Sequence, residues 1–325
     1  MSEPIGQTVD GTPWDEPRGP HLPDRLTGIP LLIWPFVVLA VVQVAVLWME
    51  HAADIARDPV WLGQVFLSGV DDVAASLLGA ALLLRHPDAI RTLRLVVVGV
   101  VLIAVEQVLG LLEAPIRPMM EALTAASEDG SGYFYVSSAY TFAASLVGTF
   151  GILYVALGLD TARRYEGRAN RAVVGGLVLV SALIVAANIA SYVQLPEGSG
   201  VIPVLAAGSI VVSFASLLAT SYLVVISLGG WRAGESPPLG WALGVASGAL
   251  TIAAAALVSV ALVLRPSDVN VLATAYATLT ALAWLALLGA FLVGLPSTAQ
   301  IEWEAVEVAP TPDPPAATPP GSAGS

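Results

Sequence analysis

The chain has 325 residues, of which 56% are hydrophobic and only 12% charged, whereas a soluble domain carries about 25% charged residues. Its formal net charge is −12 and it has no cysteine, which excludes a soluble globular fold, nucleic-acid binding through a basic surface, disulfides and thiolate-held metal or iron–sulfur centres. All thirteen basic residues are arginine, so the lysine of a phosphate-binding loop, of a Schiff base or of a Ser-x-x-Lys pair is missing too.

Residues 1–27 hold Pro4, Pro13, Pro17, Pro20 and Pro23 and read as a disordered tail. This long acidic start is unlike a signal peptide, so the first apolar run is read as a retained helix. Apolar windows of membrane-spanning length fall near 28–50, 62–84, 92–113, 134–158, 172–194, 203–228, 239–264 and 270–294. From 296 to 325 the chain is rich in Pro, Ala and Thr, a second disordered tail. The predicted fold is therefore an all-α membrane protein, a bundle of eight transmembrane helices.

Eight crossings put both tails on one side, and the arginines choose it. Arg85, Arg91, Arg94, Arg163, Arg164, Arg168, Arg171 and Arg232 fall in the turns on the side of the tails, against Arg57, Arg117 and Arg265 opposite. The positive-inside rule makes the tails cytoplasmic. Absent lysine with abundant Ala, Val, Gly and Arg suggests a GC-rich bacterial genome, and so a bacterial inner membrane.

The even-numbered crossings resemble one another. Ala75-Ser76-Leu77-Leu78-Gly79 recurs as Ala144-Ser145-Leu146-Val147-Gly148 and Ala215-Ser216-Leu217-Leu218-Ala219, with a weaker echo in Leu285-Ala286-Leu287-Leu288-Gly289. The spacing of about 70 residues predicts four parallel repeats of a two-helix hairpin, unlike the inverted repeats of many transporters; chance matching of Ala/Leu/Ser-rich helices is the competing explanation. In the long turn near 114–133, Pro115 and Pro118 are expected to break the third helix, leaving a surface loop or a short interfacial helix at 118–126.

The chemistry sits in the second and third crossings. Gln64, Ser68, Asp72 and Ser76 recur at i+4, with Asp71 beside them, and Glu106 and Gln107 follow in the next helix. At about 1.5 Å rise per residue, Asp72 and Glu106 both lie roughly 18–20 Å from the arginines of the connecting turn. If the two helices are antiparallel neighbours, the carboxyls meet at one depth. Gly99, Ile103, Glu106, Gly110 and Glu113 share one face of small residues. Gln43 and Asn188 lie at comparable depth and are candidates to join. An Asp at a helix centre costs about 2.5–3.5 kcal/mol on insertion, and no basic residue is predicted nearby to offset it. Carboxylates kept at that cost suit exchange of protons or capture of a hard cation. A second placement stays open: if the second helix begins near Val70, Asp71 and Asp72 are ordinary N-terminal residues favoured by the helix dipole.

Other features carry less. Gly240, Gly244 and Gly248 form a stripe at i+4 for close helix packing within the bundle or at a dimer contact. His21, His51 and His86 are too scattered to bind haem or zinc together, and His86 is expected at headgroup level. Trp34, Trp48, Trp61, Trp231 and Trp241 fall near predicted interfaces, as an aromatic belt does. No cofactor or metal site is expected. The expected partners are the lipid bilayer and a small solute, proton or cation. The leading functional reading is a proton- or cation-linked transporter. Its rivals are a scaffold or sensor that binds a protein partner through its tails or external loops, and an intramembrane enzyme using the carboxylates as acid and base.

Overall fold

The computed structural model describes residues 29–57, 60–124, 131–162, 171–193, 202–264 and 269–295. Both tails and the turn carrying Arg163, Arg164 and Arg168 lie outside the described residues, as do the side chains of Gln64, Ser68, Trp61 and Asn188. The described residues are helix and short turns throughout: α1 (Ile29–Arg57), α2 (Val60–Arg85), the single turn α3 (Ala89–Thr92), α4 (Arg94–Thr124), α5 (Ser131–Thr161), α6 (Arg171–Val193), α7 (Ile202–Arg232), α8 (Pro238–Leu264) and α9 (Val269–Val293). Among the described residues, seven helices, α1, α2, α4, α5, α7, α8 and α9, hold stretches long and apolar enough to cross a membrane. In α6, a helix of 23 residues, the apolar stretch with described side chains is Val173–Ala187. The chain thus has the make-up of a multi-pass helical membrane protein, its helices apolar all round because lipid and protein interior are both apolar.

One placement left open is decided and one expectation is corrected. α2 starts at Val60 rather than Val70, so Asp71 and Asp72 lie well inside a helix and not at its N-terminus. Pro115 and Pro118 do not break the third long helix; α4 runs through both to Thr124. A proline removes one N–H and crowds the preceding turn, so it bends a helix more readily than it ends one. Here Met120, almost fully buried, docks the segment beyond both prolines.

Helix packing forms an incomplete ring. The extensive contacts run α4–α5–α7–α8–α9–α2–α1, while α6 sits at the edge against α7 and α8. The ring closes through a much sparser contact between α2 and α4. The α4–α5 joint is the most extensive of all, and small residues explain it. A Cβ on Gly99 would collide with the Gly151 carbonyl and the Val155 amide, and one on Gly158 with the Val96 amide. Where lipid supplies no hydrophobic drive, such backbone approach is what holds helices together.

The buried core gathers at one end of the bundle. Leu78, Leu82, Val96, Val100, Val155, Leu159, Leu223, Trp241 and Phe291 form one cluster at the end that carries Arg85, Arg94 and Arg232. Trp241 therefore departs from the expected aromatic belt: it is 1% exposed and packs against Gly230 of α7, where any side chain would displace it. Trp34, Trp48 and Trp231 are exposed. His86 also departs from expectation. It is buried rather than at headgroup level, hydrogen-bonded to the Gly294 backbone at the foot of α9, with Nε2 lacking a hydrogen-bond partner. Burial, aided by the Arg85 charge, holds its imidazole below the usual histidine range.

That foot is closed by a left-handed glycine. Gly294 has φ of 107°, and the Leu295 amide donates to the Ala290 carbonyl at 3.0 Å, a Schellman-type end to α9. α7 ends the same way at Gly234 (φ 68°), with the Glu235 amide donating to Gly230. One end of the bundle is thus capped and densely packed, and the polar residues of α2 and α4 lie toward the other.

Candidate functional site

The polar residues converge where the ring is weakest. Gln43 of α1 is the hub: its Oε1 accepts a hydrogen bond from Ser76 Oγ at 2.6 Å, and its Nε2 donates to Gln107 Oε1 at 2.7 Å. Ser76 is fully buried and Gln43 nearly so. One amide therefore ties α1 to both α2 and α4. Helical spacing sets this up, since Ser76 lies one turn beyond Asp72 and Gln107 follows Glu106.

The two carboxylates meet these amides from different sides. Asp72 lines a cleft of about 210 Å³ together with Gln43, Glu50, Gln107 and Gly110. Glu106 turns the other way, into the α4–α5 joint, where its carboxylate occupies the space that a side chain on Gly148 would take. The two carboxylates are still near enough for their charges to repel. Gly99, Ile103 and Glu106 all meet α5, whereas nothing lies within 4 Å of a Cβ on Gly110.

Asp71 belongs to a different neighbourhood. Adjacent residues on a helix point about 100° apart, and Asp71 is turned to α9, within hydrogen-bonding reach of Thr280 and electrostatic reach of Tyr276. It also accepts a hydrogen bond from the Asp72 amide at 2.8 Å, which fixes its rotamer.

Of the sequence candidates, Gln43, Asp72, Glu106 and Gln107 come together, and Asp71 lies to one side of them, turned to α9. The Asn188 side chain lies outside the described residues; its helix, α6, packs on α7 and α8. The glycine stripe of α8 faces the bundle's interior. Gly244 meets Ser227 and Gly248 meets Val224, both on α7, while Gly240 meets Leu295 beyond α9. Sequence reasoning passed over Ser76, Gly148, Glu50 and Thr280 as site residues. Ser76 was signalled by its i+4 relation to Asp72; the others depend on which helices are neighbours, which periodicity does not state.

Among the described residues, no group of three or more His, Cys, Asp or Glu converges in a metal-binding arrangement. The polar groups lining the cleft are Asp72, Glu50 and the amides of Gln43 and Gln107, with Ser76 bonded to Gln43 behind them. Such a set holds and releases protons, or lends oxygens to a partly hydrated cation, more readily than it cages a divalent ion. Comparison with known proteins gave no match to a family model, a curated protein or a solved structure.

Proposed function

We propose that the chain is a proton- or cation-linked membrane transporter whose working site is the joint between α2 and α4. The observation that carries this reading is the placement of Asp72 and Glu106. Two carboxylates within electrostatic reach of each other flank the sparse α2–α4 contact, Asp72 facing a polar cleft and Glu106 half-buried against Gly148 of α5. A purely structural polar contact would favour neutral partners, because charged groups in a membrane helix are costly. In this reading Asp72 meets the aqueous side, Glu106 is the occluded group, and the Ser76–Gln43–Gln107 chain holds α1 over both. Protonation of either carboxylate relieves their repulsion, and loss of that proton favours opening of the sparse α2–α4 contact.

The membrane arrangement that goes with this counts α6 as an eighth crossing and places both tails in the cytoplasm of a bacterium, following the arginine distribution. The cleft then opens to the outside and the dense core seals the cytoplasmic end. The same reading takes α1–α2, α4–α5, α6–α7 and α8–α9 as four hairpins of the parallel repeat of about 70 residues expected from the sequence.

Proton exchange at the seam has an infrared signature. Carboxyl C=O bands should appear and disappear as protein in lipid is cycled across neutral pH, and those bands should be missing in Asp72→Asn and Glu106→Gln. Spectra that the two substitutions leave unchanged would overturn the proposal.

A further inference from the structure

Apart from the cleft, between α5, α7, α8 and α9, lies a second, partly open cavity of about 60 Å³. Four hydroxyl side chains line it: Thr220 from α7, Ser247 and Thr251 from α8, and Thr280 from α9, with Leu287 and Trp284 among its apolar walls. Thr220 is 2% exposed and its Oγ1 has no hydrogen-bond partner. In a helix, a threonine hydroxyl usually bonds the carbonyl one turn back. Thr251 does so, donating to the Ser247 carbonyl, and Thr280 lies within reach of the Tyr276 and Ala277 carbonyls. Hydroxyls engaged in this way present only lone pairs to the cavity, whereas Thr220 still has a proton to give.

An apolar cavity of this size stays dry, but one with several convergent polar atoms does not; a single water needs only ~10–15 Å³ and two to four partners. The geometry points to a hydration site: this cavity holds a small water cluster that satisfies Thr220 and bridges it to the acceptor hydroxyls of α8 and α9. Thr280 lines the cavity and also lies within reach of Asp71, so the cavity adjoins that carboxyl. α2 thereby sets its two adjacent carboxylates beside two separate wet compartments, Asp72 at the cleft and Asp71 near this cavity. The inference does not depend on the transport proposal, since a non-transporting bundle would hydrate the same hydroxyls.

Two measurements on the full chain in lipid nanodiscs test it. Radiolytic hydroxyl labelling oxidises side chains beside bound water, and Leu287, 2% exposed, is out of reach of bulk solvent. Leu287 should be labelled in the wild type, and Thr220→Val should reduce that labelling several-fold while labelling at Trp34 stays constant. The same near-isosteric substitution should lower the melting temperature, because it removes a water's partner. In a dry cavity it would raise the melting temperature, because it removes an orphaned hydroxyl. An unlabelled Leu287 in the wild type, or a Thr220→Val variant that melts higher, overturns the proposal.

Discussion

Replacing Gln43 with leucine tests whether one amide holds α1 to the bundle. The substitution keeps volume and helix propensity but deletes two hydrogen bonds, from Ser76 and to Gln107. Interhelical hydrogen bonds in membrane proteins average ~0.6 kcal/mol and reach ~1.7, so the pair is worth about 1.2 kcal/mol, with a ceiling near 3.4. Ser76 is fully buried, and an orphaned buried hydroxyl adds about 1–3 kcal/mol unless it turns back to the carbonyl of Asp72 one turn earlier. The expected loss is about 1–2 kcal/mol. Reversible unfolding in mixed micelles would measure it, in a double-mutant cycle with Ser76→Ala. Because the two residues share one bond, their effects should couple by about 0.6 kcal/mol or more. Additivity to within ~0.3 kcal/mol would refute the claim that the Ser76–Gln43 bond is a structural tie.

Other expectations follow from the same contacts. Gly148→Ala should expel the Glu106 carboxylate from the α4–α5 joint and abolish seam function while the protein still folds, since the flexible end of Glu106 can move; circular dichroism and flux would be compared. Gly158→Leu, which drives a side chain into the Val96 backbone, should cost at least about 1–3 kcal/mol, seen as poor yield and a lowered melting temperature. His86 gives a pH dependence. Its folded form favours the neutral imidazole, so the unfolded chain binds the proton first. Its stability contribution is therefore complete above the ordinary value of 6.5 and lost as the pH falls below it. His86→Gln should flatten the corresponding part of the melting-temperature profile. Finally, deleting residues 297–325 should leave flux intact; flux or phenotype lost with the tail, but not with Asp72→Asn, would favour the scaffold reading.

Much of the fold was legible because lipid imposes a length and polarity rule that a sequence states directly. The apolar windows located each long helix to within a turn or so at most ends, and the i+4 order of Asp72 and Ser76 placed both near one face of α2. Helix neighbours were less legible. The short α2–α4 connection suggested a close antiparallel pair, yet α2 packs chiefly on α1 and α9, and α4 on α5. Nothing in a periodicity distinguishes the lipid-facing side of an apolar helix from its protein-facing side, so Gly148 opposite Glu106 and Thr280 opposite Asp71 emerged only from the structure. The same limit misplaced Trp241, whose position near a helix end fits a membrane interface as well as a buried core. Pro115 and Pro118 misled because proline was taken to end a helix that Met120 keeps docked.

The central claim is that Asp72 and Glu106 form a working site for protons or cations, and flux is the most direct reading of it. Purified protein in liposomes loaded with a pH-sensitive dye would be exposed to pH and cation gradients, with Glu106→Gln as the comparison and matched melting temperatures as the control for folding. The account predicts a dye response in the wild type that the variant loses. Equal flux in both proteins, or none in either under every gradient imposed, would contradict it.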